Sequence, residues 1–187
     1  MRIFASFVLL LTLHSVCALA APPPCAAPTH RQFDFWIGDW TVNRTDNGQF
    51  AGENRIEPVL DGCALQESWT GAKGYRGNSY NAYDASRGVW HQTWVDSSGG
   101  LLLLEGRLEA GKMVLEGQQQ QADGKTVLNR ITWTPRDDGT VRQRWDSTAD
   151  GGKTWQVQFD GIYAKRSERA AVGSGGGANP LQLRRDI

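Results

Sequence analysis

The chain has 187 residues, with Lys+Arg and Asp+Glu equal at 20 each and a formal net charge of zero at pH 7. That balance argues against a nucleic-acid binder, which needs a clustered basic surface to neutralise phosphates. The 8 Trp, 6 Phe and 4 Tyr provide large apolar bodies to bury, which excludes a charged disordered chain, and the length suits one folded domain between two loose ends.

The N-terminus reads Met1-Arg2, an apolar run over 3–13, then Ala18-Leu19-Ala20, the pattern of a secretory signal cleaved near Ala20. The run is shorter than the roughly 20 residues a helix needs to cross a bilayer. The expectation is a periplasmic or secreted protein with no transmembrane segment in the mature chain. Residues 21–29 are rich in Pro and Ala and predict an extended arm. Cys17 leaves with the signal, so Cys25 and Cys63 remain, and an exported chain with two cysteines usually pairs them. The bridge would tie the arm to the Leu60-Asp61-Gly62 turn. No neighbouring pattern supplies the base that a catalytic thiol would need.

A short helical turn is predicted over 30–37. From Trp40 onward, runs rich in β-branched and aromatic residues alternate with Gly, Asp, Asn and Ser, giving strands near 40–45, 52–59, 63–70, 77–84, 89–96, 101–108, 112–117, 126–135, 140–148 and 155–164. The connections, such as Ala110-Gly111 and Asp137-Asp138-Gly139, are hairpin chemistry. Parallel strands would need crossovers of a dozen or more residues, so neighbours must pair antiparallel. Closing this meander into a barrel removes both open edges, and the fold class is all-β, an up-and-down barrel over residues 30–166. Residues 167–187, with Gly173-Ser174-Gly175-Gly176-Gly177, predict a disordered tail.

Tryptophans set the inward phase of each strand, because successive side chains alternate between faces and an indole is usually buried. Trp69 brings Leu65 and Glu67 inward. Trp90 and Trp94 bring Gln92, with Asp96 as a further candidate. Trp133 brings Ile131, Trp145 brings Val141 and Gln143, and Trp155 brings Val157 and Phe159. The opposite faces collect Arg130, Thr132, Arg142, Arg144, Gln156 and Gln158, which suit water. In 77–84, either Ser79, Asn81 and Tyr83 or Tyr80 and Ala82 face inward. The interior is thus an aromatic cavity holding a few polar groups, and these must bond to one another, to water or to a guest.

Phe35-Trp36-Ile37-Gly38-Asp39-Trp40 resembles the start of the first strand in the calycin superfamily, the lipocalins and fatty-acid-binding proteins. There a helical turn leads into Gly-x-Trp; the resemblance implies that Gly38 permits close approach and Trp40 plugs one barrel end. With Trp90-His91-Gln92-Thr93-Trp94-Val95-Asp96, the pattern is similar to a group of exported bacterial proteins of unknown function assigned a lipocalin-like barrel, covering most of residues 30–166. The resemblance implies fold and export. Fatty-acid binders hold a carboxylate with Arg-x-Tyr in the last strand; Gly161-Ile162-Tyr163-Ala164-Lys165 departs from that. Thr148-Ala149-Asp150-Gly151-Gly152-Lys153-Thr154-Trp155 resembles the Asp-box hairpin of sialidases, a folding device.

The expected ligand is a small apolar or amphipathic molecule, taken by Trp69, Glu67, Trp90, Gln92, Trp94, Gln143 and Trp145. No cofactor is expected: His30 and His91 have no metal-ligand spacing, and the Trp-set phase points His91 away from the cavity, against a haem role. No Gly-x-Ser-x-Gly elbow is present. Two rival readings stay open, acid–base catalysis by Glu67 with Asp96 as partner, and a packed barrel that makes protein contacts.

Overall fold

The alternation read from the sequence forms ten strands, each short enough to end at a Gly- or Asp-bearing turn. The computed structural model describes residues 23–166; the segment 1–20 and the tail 167–187 lie outside the described residues. Two 3-10 turns, Pro28–Arg31 and Asp34–Trp36, precede β1 (Gly38–Arg44), β2 (Phe50–Val59), β3 (Ala64–Gly71), β4 (Arg76–Asp84) and β5 (Val89–Asp96). Then follow β6 (Leu101–Glu109), β7 (Lys112–Gln120), β8 (Thr126–Pro135), β9 (Val141–Thr148) and β10 (Gln156–Lys165). Every strand pairs antiparallel with its sequence neighbours, and β1 pairs with β10, so the meander closes as a barrel without a free edge.

One end of the barrel is closed by aromatic packing. The two 3-10 turns place Phe33 and Trp36 across the opening, where Phe33 stacks on Trp36 with centroids 4.9 Å apart and meets Trp133 and Trp90 edge-on at 5.1 and 5.6 Å. Such pairs add to burial because ring edges meet ring faces of opposite partial charge. Trp40, on β1, donates its indole N–H to the Trp36 carbonyl at 2.9 Å, and the Lys165 ammonium sits 4.0 Å above its ring. Gly38 has φ of +143°, and a Cβ there would overlap the Lys165 amine. It is therefore glycine both for its backbone and for the room.

The Cys25–Cys63 bridge, with Cα atoms 5.1 Å apart, pins the arm against the turn between β2 and β3. That turn carries three consecutive left-handed residues, Leu60, Asp61 and Gly62, and Arg31 donates to the Gly62 carbonyl. A covalent tie and a cation thus hold the plug to the barrel wall.

The inward phase set by the tryptophans holds through β3, β5, β8 and β9, and β4 resolves to Ser79 and Asn81 inside, with Tyr80 on the exposed face. It fails at the start of β10. A register shift between Val157 and Phe159 places two residues of β10 opposite one step of β9 and inverts the alternation. Val157 pairs with outward Asp146 and is half-exposed, whereas Phe159 pairs with Trp145. Trp155 accordingly lies outside, 4.1 Å beneath the Arg130 guanidinium. Its preceding hairpin is held as an Asp-box is: Asp150 accepts from the backbone of Lys153 and Thr154 and from the Thr148 hydroxyl.

Removing the bridge frees a loop of 38 residues in the unfolded chain. Replacing both Cys25 and Cys63 by Ser is expected to cost about 3–4 kcal/mol of stability on the chain-entropy account. Urea unfolding of the mature protein measures this, and a loss below about 1 kcal/mol would show that the arm docks without the tie.

Candidate functional site

The end opposite the plug is open, ringed by the β1–β2, β3–β4, β5–β6, β7–β8 and β9–β10 turns. Below it lies a cavity of about 540 Å³, within the size range of small-molecule sites. Its wall is aromatic, formed by Trp69, Trp94, Trp145 and Phe159, with Leu102 and Ile131. Its polar lining includes Glu67, Gln92, Gln143 and Tyr163, and its rim carries Arg44, Phe50, Lys73, Tyr75 and Asp96.

The hollow persists because three of its aromatic rings lie against glycines, Trp69 and Trp94 on a neighbouring strand and Phe159 on its own strand. A Cβ on Gly52 would come within 2.7 Å of the Trp69 ring, and one on Gly161 within 2.7 Å of Phe159. At Gly77 it would overlap the Trp94 indole outright. Gly77 is directly paired with Trp69 and Asp96, so the missing side chain gives Trp94 a shelf on the adjacent strand. The indoles therefore line the interior instead of filling it.

Glu67 is 4 % exposed and stands in a directed hydrogen-bond chain across β2 to β5. Gln92 Nε2 donates to Asn81 Oδ1 at 2.8 Å, Asn81 Nδ2 donates to Ser79 Oγ at 2.9 Å, and Ser79 donates to Glu67 Oε2 at 2.6 Å. On the other side, Asn54 Nδ2 donates to Glu67 Oε1 at 2.7 Å. Cross-strand register explains the chain, since Glu67 is directly opposite Ser79 and Asn81 opposite Gln92. From β10, the Tyr163 hydroxyl donates to Gln143 Oε1. Burial pushes the Glu67 carboxyl from 4.5 up to about 7, opposed by the bonds from Ser79 and Asn54. Burial first, and then the Glu67 carboxylate, push the Tyr163 phenol well above its ordinary range.

Of the residues singled out from the sequence, Trp69, Glu67, Gln92, Trp94, Gln143 and Trp145 meet around this cavity. Trp90 does not. It is buried in the plug against Phe33, and its indole N–H donates to Gln32 Oε1 at 3.2 Å. The phase of β5 was right, but Trp90 lies a full turn of the strand pleat deeper than Gln92, at the closed end. Asp96 is at the rim rather than beside Glu67: its carboxylate accepts from Ser98 and from the Gly100 backbone in the β5–β6 turn. The Ser98 hydroxyl bond comes first in holding it well below the usual carboxylate range. It is a turn-former and supplies Glu67 with no proton-transfer partner. His91 is on the outer surface, bonded to Glu105 and Thr93 at 3.1 and 2.8 Å. Sequence reasoning missed Asn54 and Tyr163. Asn54 shares the face of Ile56 on β2, a readable signal, and Tyr163 lies four residues beyond Phe159 on the same inward face of β10, so the alternation that placed Phe159 inside also pointed to it.

A scan against protein-family models found no matching family, and comparison with curated proteins found no match.

The raised Glu67 pKa has a definite consequence for stability. Between pH 4.5 and about 7 the folded state keeps a proton that the unfolded chain has released, so stability falls as pH rises through that window. The effect is on the order of 3 kcal/mol. Glu67→Gln should remove this decline, so the stability difference between variant and wild type shifts in the variant's favour from pH 4.5 to pH 8. Denaturant unfolding at both pH values decides it; parallel pH profiles would mean that Glu67 ionises in the barrel as readily as in the unfolded chain, so that burial does not raise its pKa.

Proposed function

We propose that the protein is an exported, calycin-like barrel that binds a small, mainly apolar molecule. Its body lies among Trp69, Trp94, Trp145 and Phe159, and its polar end is oriented by Glu67, Gln92 and Gln143. The observation that carries this reading is the cavity of about 540 Å³ itself, kept open by indoles seated on glycines. A barrel serving only protein contacts would have no use for such a hollow, since interiors ordinarily pack to crystal-like density. Export is supported by the signal-like N-terminus and by the Cys25–Cys63 bridge, a linkage of oxidising compartments.

Titrating tryptophan emission against libraries of apolar and amphipathic compounds tests the binding reading, with native mass spectrometry of the envelope-purified protein to identify a co-purifying mass. Gly77→Val, which forces the Trp94 indole off its shelf and into the hollow, should weaken any ligand at least tenfold. Unchanged affinity in that variant would place binding elsewhere.

A second reading, acid–base catalysis, is favoured by one observation, the Glu67 pKa near 7. It requires that Glu67→Gln abolish turnover of a substrate found by screening while the fold is retained; an undiminished rate removes Glu67 as the base.

A further inference from the structure

The hydrogen-bond inventory of the cavity is unbalanced, and the imbalance has a chemical sense. Glu67 accepts one bond on each carboxylate oxygen, from Asn54 and Ser79, which leaves roughly half of its lone-pair capacity open. Gln92 spends its amide N–H groups on Asn81 and Ser79, and its Oε1 accepts nothing among the described residues. Asn54, 2 % exposed, spends its Nδ2 on Glu67 and Tyr163, and its Oδ1 is buried with no donor. The Tyr163 proton goes to Gln143. Against these spare acceptors the donors left uncommitted in the cavity wall are neutral, Gln143 Nε2 and the Trp69 indole N–H, with Asn129 Nδ2 buried and unpartnered next to Trp145. No Lys, Arg or His among the described residues pairs with Glu67.

We propose, building on the binding reading above, that the guest is an amphipathic amine whose ammonium group sits on Glu67, with its apolar body against the indoles of Trp69, Trp94 and Trp145. An ammonium carries donors, a positive charge and no acceptor, which matches the spare oxygens of Glu67, Gln92 and Asn54 and the carboxylate's lack of a cationic partner. The fold has already removed Glu67 from water, so a bound cation relieves a burial penalty instead of creating the carboxylate's share of one. Indole faces attract cations as well. A carboxylate guest fits badly in either orientation. Head-inward it brings acceptors and a like charge to Glu67; head-outward, toward Lys73 and Arg44 at the rim, it lays an alkyl tail against a buried carboxylate.

Charge around Glu67 is simple enough for the pH dependence to be informative. Tyr163 is the titratable group facing it from β10, and Asn54, Ser79, Gln92 and Gln143 face it from β2, β4, β5 and β9 as neutral groups. The charged groups of the lining, Arg44, Lys73 and Asp96, stand at the mouth. Amine affinity should therefore rise about tenfold from pH 6 to pH 8 as Glu67 ionises, while the amine keeps its proton.

The test is isothermal titration of the mature wild-type protein with three probes of one skeleton, decylamine, decanol and decanoate, below their aggregation concentrations at pH 6 and pH 8. Decylamine is expected to bind at least tenfold tighter than either partner at pH 8. In Glu67→Gln that preference should vanish while decanol affinity stays within about twofold, and circular dichroism checks that the variant is folded. Decanol or decanoate binding as tightly as decylamine to wild type overturns the amine assignment and leaves the binding reading standing. Should decylamine win equally in wild type and in folded Glu67→Gln, the cation is held by something other than Glu67, and the assignment fails. If none of the probes binds, nor any compound of the fluorescence libraries, the binding reading itself falls and the amine with it. The wild-type comparison decides the matter even if the variant does not fold.

Discussion

A tryptophan laid on a glycine of the next strand is the contact on which this barrel's character depends. The Trp94 ring occupies the space where any side chain at position 77 would start, Trp69 uses Gly52 in the same way, and Phe159 lies over Gly161 of its own strand. Were those positions larger, the rings would have to swing inward, and dispersion contacts would favour a filled core. Instead the aromatic surface is spread along the wall and the axis stays open. Gly106 and Gly117 have a different task, because a Cβ on either would meet the backbone carbonyl of a neighbouring strand; they let β6 and β7 bend tightly as the sheet curls.

The barrel divides its aromatics between two physical jobs. At one end Phe33, Trp36, Trp40, Trp90 and Trp133 meet at ring-centroid or backbone contact and exclude solvent completely. That plug is anchored by the disulfide and by Lys165 over Trp40. At the other end the rings are partly exposed and face a hollow. Between the two sits a carboxylate fed by a one-way series of amide and hydroxyl donors. A wholly apolar layer in that place would be cheaper to bury, and the polar layer is what gives the cavity chemical direction.

The outer surface shows the same alternation in reverse. Arg142 and Arg144 pair with Asp160 and Asp146, and Arg130 with Glu116, all projecting away from the hollow. The arginines of these pairs are half-exposed, whereas the Asp160 and Asp146 carboxylates are largely covered. They also specify register, since a one-residue slip would turn charged groups into the barrel and indoles into water.

Much of this was legible in the chain. Gly- and Asp-bearing turns at short intervals dictated an antiparallel meander, because no stretch between strands was long enough for a crossover. The period-2 pattern of Trp69, Trp90, Trp94, Trp133 and Trp145 determined which faces turn inward, since one sheet face must be buried. Pairing of Cys25 with Cys63 followed from the compartment implied by the N-terminus. Depth along the barrel axis was not encoded in any local pattern. Trp90 and Trp94 share a face, yet one belongs to the plug and the other to the cavity, because their heights are set by the stagger of all ten strands. The bulge at Val157–Phe159 likewise left no local trace, and it turned Trp155 and Val157 outward while Phe159 and Tyr163 kept the inward face. Alternation is a property of one strand and survives in the sequence; height, bulges and the meeting of Asn54, Glu67 and Tyr163 are properties of the closed sheet, fixed only when the first strand finds the last.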